Sequence, residues 1–148
     1  MVKAFHFRLQ TSLDVAQRRQ NVAKEELQNQ IIQRNIVLTQ CDSAKEKRES
    51  LRNNIREKDI PFRDYLVTTD YLKVMQVVIQ NLESNLRSEE EKVEAARQVL
   101  LNYSKEKQTL EKIKDRDWDE YIYEVNREEQ KNIDEVAQNR KRFVQEVR

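Results

Sequence analysis

Not one of the 148 residues is a glycine, and Pro61 is the only proline. Tight turns draw on residues that tolerate positive φ, and glycine is the usual choice. A chain of this length without glycine can turn only rarely, so most of it must run through long regular elements. Charged and hydrophobic residues each make up 37%, a balance closer to long helices and coiled coils than to a compact globule. High charge is also compatible with disorder, but the net charge of only +1 and a regular apolar spacing argue against it.

The spacing is that of a coiled-coil seam. Alternating steps of four and three residues from Leu9 reach Leu13, Ala16, Gln20, Ala23, Leu27, Gln30, Arg34, Val37, Cys41, Ala44, Arg48, Leu51 and Ile55. Ten of these fourteen positions are apolar, and their average period of about 3.5 residues defines a helix–helix contact line. Small alanines and polar Gln or Arg weaken it around residues 16–34. A first helix is expected over about residues 10–58, with Thr11 as its N-cap and Asp14 favourable in the first turn. The pattern stops at Asp59-Ile60-Pro61-Phe62, because proline disfavours the α conformation in the residue before it.

A turn over about residues 59–70 is expected there, with Thr69 or Asp70 capping the next helix. A second seam follows through Leu72, Met75, Ile79, Leu82, Leu86, Glu89, Val93, Ala96, Leu100, Tyr103, Lys107 and Leu110. Its frame would next place Lys114 and Asp117 in the core. A slip to Trp118, Ile122, Val125, Val136 and Phe143, a stutter, is therefore expected. The second helix should span about residues 70–145, roughly 110 Å at 1.5 Å per residue.

Two helices joined by a short turn pack antiparallel, so the expected fold is all-α, a long two-stranded antiparallel coiled-coil hairpin forming a single domain over residues 1–148. With the turn near residues 61–64, residue i should face residue 125 − i, and the chain beyond residue 116 should overhang the first helix. That overhang carries Trp118, Tyr121, Ile122, Tyr123, Val125, Ile133, Val136 and Phe143, more apolar surface than one helix can bury on itself. Phe5 and Phe7 reach the same end and can cover part of it. The remainder reads equally well as a partner-binding surface or as a contact for self-association into a longer bundle.

Chemistry is scarce. Without glycine there is no phosphate-cradling loop or dinucleotide fingerprint. His6 is the only histidine, too few for a metal site built from convergent ligands. The lone Cys41 excludes an internal disulfide, lacks a histidine placed to activate it, and reads as a small core residue. No enzyme activity, metal or cofactor is expected. Residues 1–60 carry 12 Lys/Arg and 8 Asp/Glu, and residues 61–148 carry 16 and 19. Neither half makes the one-signed field that nucleic-acid binding needs. No apolar run approaches the roughly 20 residues of a membrane span, and the N-terminus lacks a signal-peptide core, so a place in the cytoplasm without insertion in a membrane is expected; the hairpin itself predicts a monomer.

Several stretches resemble a known family. The opening Phe5-His6-Phe7-Arg8-Leu9-Gln10 with Leu13-Asp14 looks like the start of the flagellar export protein FliJ. Arg97-Gln98-Val99-Leu100 and Lys105 through Lys114 are similar to the family's second-helix pattern, as is Arg127-Glu128-Glu129-Gln130-Lys131-Asn132-Ile133-Asp134-Glu135-Val136-Ala137. Ile133 stands where leucine is commoner, and residues 30–60 match only in kind. The resemblance implies a stalk-like component of flagellar type III export, similar in fold to the γ subunit of rotary ATPases and serving motility. It implies binding to the hexameric export ATPase FliI, contact with the export gate protein FlhA and with export chaperones, and a place at the inner face of the cell membrane at the flagellar base. A non-flagellar type III secretion stalk and a generic coiled-coil scaffold are the alternatives.

The resemblance carries Phe5, Phe7, Arg8 and Gln10, with Arg127, Glu128, Glu129, Gln130, Asp134 and Glu135, to the ATPase-facing end. Trp118, Tyr121 and Arg140 join them from the overhang. For Phe5 and Phe7, packing onto the second helix is an equal reading. For the charged residues, solvated i,i+4 pairs such as Glu128 with Asn132 or Lys131 with Glu135 are the plainer one.

Overall fold

The computed structural model describes residues 3–57 and 59–148. Its two helices are α1, Gln10–Glu57, and α2, Phe62–Glu146, packed against each other as a hairpin. Lys58, where the first helix is expected to end, lies outside the described residues.

The first helix starts at Gln10 as expected, but its cap and the start of the second helix differ from expectation. The Leu13 N–H donates to the Leu9 carbonyl at 2.9 Å, so Leu9 precedes the first helical residue and Thr11 sits inside the first turn rather than capping it. Asp14 falls a turn later and accepts a hydrogen bond from Gln10 Nε2 at 3.0 Å. The turn is far shorter than residues 59–70. Pro61 immediately precedes α2 instead of preceding a loop, and its carbonyl accepts the Tyr65 N–H at 3.0 Å. Proline suits this place because its missing N–H would have no partner within the helix there. Asp64 supplies the favourable carboxylate in the first turn. Thr68 and Thr69, whose type suggests a cap, instead donate their hydroxyls back to the carbonyls of Asp64 at 2.8 Å and Tyr65 at 2.7 Å. This back-bonding lets threonine sit inside a helix.

The chain divides into two compact units, residues 20–103 and residues 3–19 with 104–148. In the first unit the core is Ala23, Cys41, Met75, Ile79 and Val93, with Ile79 and Cys41 each only 1% exposed. Lys45 Nζ meets Glu83 Oε1 at 3.1 Å, and that hydrogen bond raises the Lys45 pKa above its ordinary value. Arg48 Nη1 donates to Gln76 at 3.0 Å. Both pairs lie within three residues of the expected i with 125 − i register. The polar seam residues have individual solutions. Arg34 bonds the side chain of its neighbour Asn35, whereas Arg48 leaves its buried Nε without a partner.

Every position of both seams, Leu9 to Ile55 and Leu72 to Leu110, is buried or half-buried. The 3.5-residue spacing in the sequence is thus the contact line in the structure.

Candidate functional site

The second unit carries nearly all the candidate residues. Its α1 portion supplies the buried Leu13 and Ala16. Ahead of α1, residues 3–9 run as a non-helical segment alongside α2. Phe7 is 4% exposed, and the Gln10 N–H closes a turn onto its carbonyl at 3.1 Å. Phe5 sets its ring edge-on to Trp118 with centroids 5.0 Å apart, and lies 5.5 Å from Tyr121. Trp118 and Tyr121 are themselves 5.6 Å apart. Such edge-to-face and tilted clusters place the positive rim of one ring against the negative face of another.

Alongside this segment the frame slip comes later than expected. The expected stutter placed Trp118 and Ile122 inward, but Trp118 is 46% exposed and Ile122 is exposed as well. Lys114, Asp117 and Tyr121 are half-buried instead, so the frame of Leu110 continues as far as Tyr121; beyond it Glu124 is exposed and Val125, a position of the slipped frame, is half-buried. The partner opposite Lys114 is an aromatic side chain and an amide. The ammonium lies 5.9 Å from the Phe7 ring centroid and donates to Gln10 Oε1 at 2.9 Å. Gln10 passes the network on to Asp14. A lysine is acceptable in a seam when a ring face and a carbonyl-type oxygen replace its water.

Of the candidates, then, Phe7 is buried and Gln10 accepts a hydrogen bond from Lys114. Phe5 is half-buried on Trp118 and Tyr121, and Arg8 is exposed. Beyond Val125 the burial pattern ends. Residues 126–148 are all exposed although helical to Glu146. This arm bears Arg127, Glu128, Glu129, Gln130, Asp134, Glu135 and Arg140. Among the described residues its side-chain pairing is limited to Gln130 Nε2 donating to Asp134 Oδ1 at 3.1 Å, and the Glu128–Asn132 and Lys131–Glu135 pairs do not form. Val136 and Phe143 are each 68% exposed.

One surface was missed by sequence reasoning. Val67, Tyr71, Val74 and Val78 form an exposed apolar stripe at the start of α2. The signal was present, since the same four–three spacing runs one residue behind the seam positions Leu72, Met75 and Ile79.

Among the described residues, no three His, Cys, Asp or Glu side chains are grouped to hold a metal ion, and no helix is long and apolar enough to cross a membrane. What the site offers is surface: an aromatic cluster where α2 leaves its partner segment, then an unpaired helical arm. No curated relative and no solved structure matches the chain. A model of the family described as flagellar FliJ protein matches residues 5–144, nearly the whole chain, and the chain therefore belongs to the flagellar FliJ family.

Proposed function

We propose that this chain is a stalk whose exposed arm, residues 126–148, enters the ring of the flagellar export ATPase FliI and promotes its assembly and activity. Membership of the family makes it a component of flagellar type III export, and the family is one of export stalk proteins rather than enzymes. The observation that carries the finer reading is the arm itself, a helix that keeps bulky apolar side chains in water. Each would gain roughly 1.5–3 kcal/mol on full burial, and no described segment of the same unit covers them. A ring lumen is a surface of matching form, able to take in a single helix along its apolar face.

In this reading Trp118, Tyr121 and Phe5 sit where the chain meets the mouth of the ring, and Arg127, Glu128, Glu129, Gln130, Asp134, Glu135 and Arg140 lie within it. The export gate protein FlhA and export chaperones are further partners, and the outer stripe of Val67, Tyr71, Val74 and Val78 is a second apolar surface for one of them. The working place is the cytoplasm, at the inner face of the membrane beneath the flagellum, with the chain acting as a monomer.

The test is reconstitution. Added to the cognate export ATPase, the full chain is expected to raise both ATP hydrolysis and the hexamer fraction. A chain lacking residues 126–148 should keep its helicity per residue and lose both effects. Undiminished stimulation by the truncated chain would sink the proposal.

A further inference from the structure

The exposed arm is not uniform around its axis. At about 100° per residue, Ile133, Val136, Ala137, Phe143, Val144 and Val147 fall within one arc about 120° wide. Arg140 lies in the middle of that arc. The residues three and four positions away on either side of it are Val136, Ala137, Phe143 and Val144, so no carboxylate of its own helix is placed to pair with it. Among the described residues it has no ion-pair or hydrogen-bond partner. The helix terminus does not account for it either. The last turn of α2 holds no basic residue, and the macrodipole acts only over that turn. The charge is also zoned along the arm. Residues 126–135 carry four carboxylates and two cations, whereas residues 136–148 carry four cations and one carboxylate.

We infer that this face docks into an apolar groove of a second protein with a carboxylate on its floor, and that Arg140 is the ion-pairing anchor of the contact. The inference rests on the arm being the ATPase-facing surface and names the chemistry of the surface it meets. Aliphatic side chains all round Arg140 would exclude water from the pair, which strengthens it. The planar guanidinium fork grips a carboxylate through two parallel hydrogen bonds, which an ammonium cannot do. Arginine set among apolar neighbours is the composition of an interface centre.

Two other occupants fit worse. A helix lying in a lipid surface keeps its cations at the edges of the apolar arc, where they reach the headgroups; here the cation is central and would be carried into the acyl layer. A second copy of this chain, in a two-fold contact through the same patch, would set the cationic zone against itself.

The experiment measures binding of the full chain to the export ATPase for the wild type, Arg140→Glu, Arg140→Lys, Arg142→Glu and the chain lacking residues 126–148, with circular dichroism confirming helicity throughout. Arg142 lies about 160° around the helix from Arg140, so it carries the same charge change on the opposite face. Arg140→Glu is expected to weaken binding about 30-fold or more, because it sets two carboxylates against each other in a dry contact. Arg140→Lys should weaken it several-fold through loss of the fork, and Arg142→Glu less than about twofold. If truncation abolishes binding while Arg140→Glu behaves like Arg142→Glu, the inference falls and the stalk reading stands; if truncation changes nothing, both fall. Arg140-dependent sedimentation with phosphatidylserine vesicles, or Arg140-dependent self-association in the centrifuge, would overturn the inference in favour of lipid or of a second copy.

Discussion

Ile79 and Val136 are both branched aliphatic side chains on α2, yet one is 1% exposed and the other 68%. Ile79 sits on a contact line shared with a second helix, and the seam spacing that brings it there continues on both sides. Val136 sits on a stretch of helix that has no neighbour among the described residues. The same local preference thus produces core in one region and interaction surface in the other. The difference lies in the partner: α1 runs alongside Ile79, with Lys45–Glu83 and Arg48–Gln76 on either side of it, whereas residues 126–148 are exposed throughout.

That contrast can be broken by substitution. Ile79→Ala removes a branched side chain from a fully packed position and should cost about 2–5 kcal/mol in chemical denaturation; a cost near zero would mean the seam around it is loosely packed. Lys114→Ala is the intermediate case. It deletes a hydrogen bond and a cation–aromatic contact, so a loss of about 1 kcal/mol is expected. A red shift in the emission of Trp118, the only tryptophan, should accompany it if Phe7 and Phe5 loosen together. Val136→Ala should change stability by less than about 0.5 kcal/mol, and a larger loss would show that the arm has an internal partner after all.

Much of this was legible in the sequence. The seam positions follow from apolar spacing alone, because a two-helix contact imposes one geometric rule on every residue along it. The antiparallel register followed from a single breaker and a short connection. The errors share one cause, which is that residue type was read without its neighbours. Thr69 and Asp70 look like caps, but a threonine hydroxyl can bond its own helix four residues back, and Pro61 had already supplied the start. Lys114 looks wrong for a core, but it meets the ring of Phe7, in a non-helical segment, and the amide oxygen of Gln10, which together accommodate an ammonium. The candidate site was legible as a region, from the expected overhang. The separate roles of Phe7, packed inside, and Phe5, half-buried on Trp118, were not, because both readings fit the same pair of phenylalanines.

The arm's backbone hydrogen bonds receive no support from tertiary packing, so their lifetime depends on helix propensity alone, and helix ends fray. Amide protons should therefore exchange with solvent progressively faster from Asn126 towards Arg148. Anything that grips the arm would slow exchange only over the turns it covers. The gradient makes this end of the chain a depth gauge, in which the last slowed amide marks how far the helix has been swallowed.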